Sequence, residues 1–141
     1  MAAKYTTSIN ILRDSEKSLK YFVTPNAKLI ADQLSDDFNR GIHSFTLIGS
    51  YGTGKSSFIM AFEEGLRKKG ELNVSLSDSF KKISSLKIVG QYQSLVNYFQ
   101  ELYDIKDDFE GNQKIFDALF QASEKCDLLV IYLDEFGKFL E

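Results

Sequence analysis

GSYGTGKSS, residues 49–57, sets three glycines, a lysine and its serines in fixed register between an apolar run and an amphipathic run. Gly49, Gly52, Gly54, Lys55 and Ser56 satisfy G-x-x-x-x-G-K-[ST] in full. The spacing has a chemical reason. Backbone N–H groups bent into a concave nest can donate to clustered phosphate oxygens. Bending that tight needs glycine, which tolerates positive φ and puts no Cβ into the phosphate space. If a helix follows, its first N–H groups and its dipole favour an anion. The pattern assigns Gly49, Ser50, Tyr51, Gly52, Thr53 and Gly54 to the cradle and Lys55 to the β and γ phosphates. It assigns the Ser56 hydroxyl to Mg²⁺ and Ser57 to the α phosphate.

Working outward, SFTLI at 44–48 is β-prone and is expected to be the strand that leads into the loop. Phe58, Ile59, Phe62 and Leu66 form a helical stripe after it, closed at Gly70. Upstream, Thr24-Pro25 places a capping hydroxyl before a proline at the first helical position. Ala27, Ile30, Leu34 and Phe38 then recur at helical spacing and Asn39-Arg40-Gly41 stops the run, so a helix is expected over 25–40. Downstream, 71–82 is a serine-rich loop and ISSLKIV, 83–89, is a strand. Leu95, Phe99 and Leu102 mark a helix over roughly 91–104. DIKDDFEGN, 104–112, is an acidic turn, and Ile115, Leu119 and Ala122 mark another helix. DLLVIYL, 127–133, is a continuous apolar run, expected as a strand buried on both faces. Alternating strands and helices predict an α/β fold with a parallel sheet covered by helices.

The last apolar run ends in Asp134-Glu135. An aspartate at the C-terminal end of a parallel strand lies at the sheet edge where ligands bind. There Asp134 can hold Mg²⁺ together with Ser56. Glu135, next in sequence, is placed to polarise an attacking water. The catalytic candidates are therefore Glu135 and Lys55, and the metal candidates Ser56 and Asp134.

GSYGTGKS together with LLVIYLDE resembles the Walker A and Walker B motifs of P-loop ATPases. The Asp-Glu pair is similar to the branch with an additional catalytic glutamate, which includes AAA+ and STAND ATPases. That resemblance implies ATP and Mg²⁺ as cofactors and hydrolysis coupled to movement in a larger machine with further domains or subunits. It divides the chain into an N-terminal extension, 1–23, and a partial ATPase domain, 24–141. It also makes Tyr21, Phe22 and Val23 candidates for an adenine pocket. In such modules a sensor strand, an arginine finger and a lid follow Walker B. The sequence ends seven residues after Asp134, so the expectation is an N-terminal half, incomplete at its C-terminal side and weak or inactive by itself. The string DEFGKFLE also resembles the Walker B region of large bacterial ATPases tied to phage defence and restriction.

Two competing readings stay open. Asp134-Glu135-Phe136-Gly137 fits D-x-x-G, the γ-phosphate sensor of GTPases, although no Asn-Lys-x-Asp guanine-reading motif occurs. A non-hydrolysing scaffold whose assembly is set by nucleotide is the other.

Composition limits the partners. Net charge is −3, which gives no global attraction to nucleic acid or to an anionic membrane. Arg67-Lys68-Lys69 is a local basic cluster suited to a helix C-terminus, with nucleic-acid contact as its alternative. One cysteine, Cys126, supplies no disulfide framework. LLVIYL, 128–133, is too short to span a bilayer, and the N-terminus shows no secretory pattern. A cytoplasmic protein is expected. His43, the only histidine, reads as a surface residue, and Asp104, Asp107, Asp108 and Glu110 as a solvated turn whose spacing fits no calcium loop.

Overall fold

A computed structural model describes residues 9–14, 20–50, 52–76 and 80–141. Tyr51, residues 1–8 and 15–19 of the N-terminal extension, and 77–79 of the serine-rich loop lie outside the described residues. The chain forms two compact units, Met1–Ser79 and Phe80–Glu141.

In the first unit, helix α1 runs Pro25–Asn39, within a residue of the sequence expectation. Thr24 Oγ1 accepts from the Ala27 amide at 3.1 Å, and Pro25 follows as the first helical residue. At the other end Gly41, with φ 97°, reverses the chain. Its amide donates to Phe38 O (2.9 Å) and that of Ile42 to Asp37 O (3.0 Å), the paired bonds of a Schellman stop. Helix α2 spans Lys55–Leu66. The chain turns out of it at Lys68 (φ 56°), two residues before the expected Gly70, with Lys69 N donating to Glu64 O at 2.9 Å. Of the basic cluster, Arg67 Nε is bound to the buried Glu63 carboxylate at 2.8 Å.

Small residues let the two helices share a core. Ala27 and Ala31 of α1 are buried with Phe58 and Ala61 of α2 and with Leu72, and Tyr21, Ile30, Leu34, Leu47 and Phe62 pack around them. The expected strand at 44–48 is not formed. Leu47 reaches the core, but Phe45 is 41% and Ile48 94% exposed, and no strand pairs with this segment among the described residues. β-propensity measures fit to a pleated neighbour, and a run without a partner gains nothing from it.

The second unit holds two parallel strands, β1 (Ile83–Val89) and β2 (Leu128–Asp134), in register from Ile83 opposite Leu128 to Val89 opposite Asp134. Parallel strands need a long crossover, here helices α3 (Leu95–Leu102) and α4 (Gly111–Glu124). Helix α3 starts at the first residue of its apolar stripe, Leu95, and not near the expected residue 91. Ser94 Oγ caps it by accepting from Asn97 N at 3.0 Å, and Gly90–Gln93 forms the connection. Ile88, Phe99, Ile115 and Phe139 make the core, ringed by Leu86, Leu95, Tyr98, Tyr103, Ile105 and Leu119. The fold is thus mixed α/β, with a two-stranded parallel sheet among the described residues. With β1 as its only partner there, β2 is not buried on both faces as its composition suggested: Ile131 is 39% and Leu133 38% exposed. No described helix is long and apolar enough to cross a membrane.

Two features give measurable outcomes. A Cβ on Gly65 would lie 2.4 Å from Leu72 O and 2.7 Å from Val74 Cγ2. Gly65→Ala should therefore destabilise the first unit by about 1–3 kcal/mol in urea unfolding, despite the better helix propensity of alanine. At the start of the ladder the Asp127 carboxylate accepts from the Lys81 and Lys82 amides, at 2.9 and 2.7 Å. These bonds, that to Lys82 first, hold its pKa below the ordinary carboxylate value. A depressed folded-state pKa contributes stability that is present above the unfolded value, near ~3.9, and lost as pH falls through the folded one. Asp127→Asn should lower the midpoint at neutral pH, with the gap to wild type closing as pH falls below the ordinary carboxylate value.

Candidate functional site

The glycine loop lies in the first unit and turns back on itself. Gly52 (φ 80°) and Gly54 (φ 85°) take the left-handed conformation that side chains resist, and Gly54 is the residue before α2. The Thr53 amide and hydroxyl both donate to Ser50 O, at 3.3 and 2.8 Å. Gly49 is tight for another reason: a Cβ there would sit 2.8 Å from Thr53 Oγ1. Lys55 curls over the loop, its Nζ donating to Gly49 O (2.6 Å) and Ser50 O (2.8 Å). Ser56 and Ser57 follow on the first turn of α2, half-buried. The N-cap position is Gly54, which has no side chain to cap that turn.

Of the three residues proposed for a base pocket, Tyr21 alone packs against the core; Phe22 is 60% and Val23 37% exposed. Tyr21 lines a cavity of about 60 Å³ with Ser57, Met60, Ala61 and Glu64 of α2 and with Ile9 and Lys20. Burial pushes its phenol pKa up. Sequence reading missed Met60, Ala61 and Glu64, although their helical spacing from Ser57 places all of them on one face of α2.

The acidic pair lies in the second unit. Asp134 is the last residue of β2 and is buried, with Oδ1 accepting from Glu135 N at 2.9 Å. Glu135 then leaves the strand in the left-handed region, φ 52° and ψ 38°. That conformation costs a residue with a Cβ about 1–2 kcal/mol. Three contacts hold it. Gly90 N donates to Asp134 O at 2.8 Å, Lys138 N donates to Glu135 O at 3.0 Å, and the Glu135 carbonyl lies against the Gly90 Cα. A Cβ on Gly90 would be 2.0 Å from that oxygen. A short 3₁₀ turn, Phe136–Phe139, comes next and buries Phe139 in the core edge-on to Tyr98, their centroids 5.9 Å apart. Lys138 Nζ is ion-paired with Glu135 Oε2. This hydrogen bond is the main reason the Lys138 ammonium sits above its ordinary pKa. Neither Gly90 nor Lys138 was singled out from the sequence. The available signals were a glycine directly after a strand and a cation three residues after a glutamate.

The remaining chemistry-bearing residues have ordinary partners. His43 packs its ring on Phe38 at 5.1 Å. The Cys126 thiol donates to carbonyls of α4. In the acidic turn Asp107 accepts from Gln100, and Asp108 from Glu110 N and from Lys114 Nζ at 3.0 Å. No cluster of three or more metal-ligating side chains occurs among the described residues.

Comparison with protein-family models, curated proteins and solved structures found no match to this chain.

The packing at Gly90 makes a sharp prediction. Gly90→Ala should cost the second unit about 1–3 kcal/mol and shift the amide resonances of Asp134–Lys138. Gly137→Ala is the control, because a Cβ there meets nothing within 4 Å, and it should leave both nearly unchanged.

Proposed function

We propose that this chain binds MgATP through the 49–57 loop and belongs to a P-loop ATPase, of the branch with an extra catalytic glutamate, that turns hydrolysis into movement of a larger assembly. The observation that carries the reading is the complete G-x-x-x-x-G-K-[ST] pattern, with the backbone of the described loop residues in its support. Gly52 and Gly54 sit at positive φ, and the loop runs directly into α2 with Lys55 and Ser56 on its first turn.

In this reading the loop amides and the first amides of α2 donate to the phosphates. Lys55 exchanges its two carbonyl partners, Gly49 O and Ser50 O, for β and γ phosphate oxygens, a charge-assisted contact that is the stronger one. Ser57 meets the α phosphate, and Tyr21 with Met60 and Ala61 lies beside the base. Ser56 and Asp134 are the residues that would hold Mg²⁺. One hydroxyl and one carboxylate suit that ion, which binds through one or two protein ligands and otherwise through phosphates and water. When bound, Mg²⁺ neutralises charge developing on the phosphates. Glu135 accepts from and orients the attacking water. Further domains or subunits of the same machine, a parallel sheet extended beyond β1 and β2, and a cytoplasmic setting complete the proposal.

Equilibrium binding decides it. Labelled MgATP should bind the wild-type chain saturably, and Lys55→Ala should weaken it by roughly tenfold or more, equivalent to ~1.4 kcal/mol. GTP should compete less well than ATP. Tighter GTP binding would instead favour the D-x-x-G reading of Asp134-Glu135-Phe136-Gly137, and no binding of either nucleotide would sink the proposal.

A further inference from the structure

We propose that Lys138 is a positioning residue for Glu135: its ammonium anchors carboxylate oxygen Oε2 and leaves Oε1 to hold the attacking water. The inference rests on the ATPase reading and adds a residue that the two motifs do not contain.

The backbone of Glu135 is fixed on both sides. Its amide donates into the Asp134 carboxylate, Lys138 N donates to its carbonyl, and the Gly90 Cα blocks movement of that carbonyl. Phe139, buried in the core, ties down the 3₁₀ turn. A fixed backbone still leaves a glutamate its side-chain torsions, and a base must be held within hydrogen-bond reach of its proton. Lys138 supplies the missing restraint: it lies in the 3₁₀ turn three residues on, with its ammonium ion-paired to Glu135 Oε2. A carboxylate has about four lone-pair sites, and the lysine takes one oxygen. The arrangement matches the general pattern in which a base is oriented by a third group.

The bland alternative is an ordinary surface ion pair. Glu135 and Lys138 are 44% and 40% exposed, and such pairs contribute about 0–1 kcal/mol to stability. The two ideas differ in what a substitution does. A surface pair has little effect on either stability or rate, whereas a positioning residue affects the rate alone.

The step at stake is hydrolysis. A water oxygen bonds to the γ phosphorus and the bond to the β–γ bridging oxygen breaks, its electron pair leaving with ADP. One water proton passes by way of Oε1 to solvent, and the other stays on the released phosphate. Single-turnover hydrolysis, with the chain in excess over labelled MgATP, measures this step directly. Lys138→Met should lower the rate constant by about tenfold while the half-saturating concentration stays within about twofold. Lys138→Arg should recover most of the rate, and the thermal midpoint of each variant should match wild type. Glu135→Gln should abolish turnover, and adding Lys138→Met to it should cost nothing more.

A Lys138→Met chain as fast as wild type or faster, beside a defective Glu135→Gln, overturns the role of Lys138 alone. A Lys138→Met chain whose loss lies in nucleotide affinity does the same. Unimpaired turnover in Glu135→Gln, or none in wild type, overturns catalysis by this chain, and the role of Lys138 falls with it.

Discussion

The hydrogen bond from the Gly90 amide to the Asp134 carbonyl, 2.8 Å long, carries the β1–β2 pairing one step past its last registered pair, Val89 with Asp134. The C-terminal end of the second unit depends on it. Because Gly90 has no Cβ, the chain leaving β2 can fold over it, and Glu135 turns into the left-handed region directly above. The turn then carries Phe139 back into the core beside Ile88, Phe99 and Ile115. Burying a phenylalanine contributes about 1.5–3 kcal/mol. The strain at Glu135 costs about 1–2. The anchor therefore offsets the strain, and a sharp, defined reversal is left at the strand end.

The elements legible in the sequence are those whose determinants are local. Helix α1 was readable at both ends because Thr24, Pro25 and Gly41 act within four residues of the bonds they make. β1 matched its run at 83–89, and the run at 127–133 lies one residue from β2. Misreadings came where a distant partner decides. SFTLI has the composition of a strand, yet no neighbour pairs with it among the described residues. DLLVIYL has the composition of a doubly buried strand, yet Ile131 and Leu133 remain more than a third exposed. Helix α3 begins at Leu95, the first residue of its apolar stripe, because the Ser94 hydroxyl caps it there, and not near residue 91.

The two candidate regions, one in each unit, differ in the same way. The glycine loop is closed by bonds among its own residues: Thr53 to Ser50, and Lys55 to Gly49 and Ser50. Those bonds span at most six residues, which is why a sequence pattern can specify them. The conformation at Asp134-Glu135 is set by Gly90, more than forty residues earlier, so the dipeptide alone looks like any polar strand end. The functional reading accordingly draws its weight from the loop and takes the acidic pair as the partner that the loop's chemistry requires.

The Glu135–Lys138 pair shows why stability and function need separate accounts. A glutamate side chain loses up to about 1.5–2 kcal/mol of rotamer freedom when it is fixed. An exposed pair returns about 0–1. On that balance the contact adds little to folding, and in the proposed reaction its role is to select one orientation of the carboxylate. A free glutamate on a strained turn would waste the rigidity of that turn on a side chain that points many ways. With the lysine holding Oε2, the restraint that begins at Gly90 reaches the oxygen where chemistry would occur.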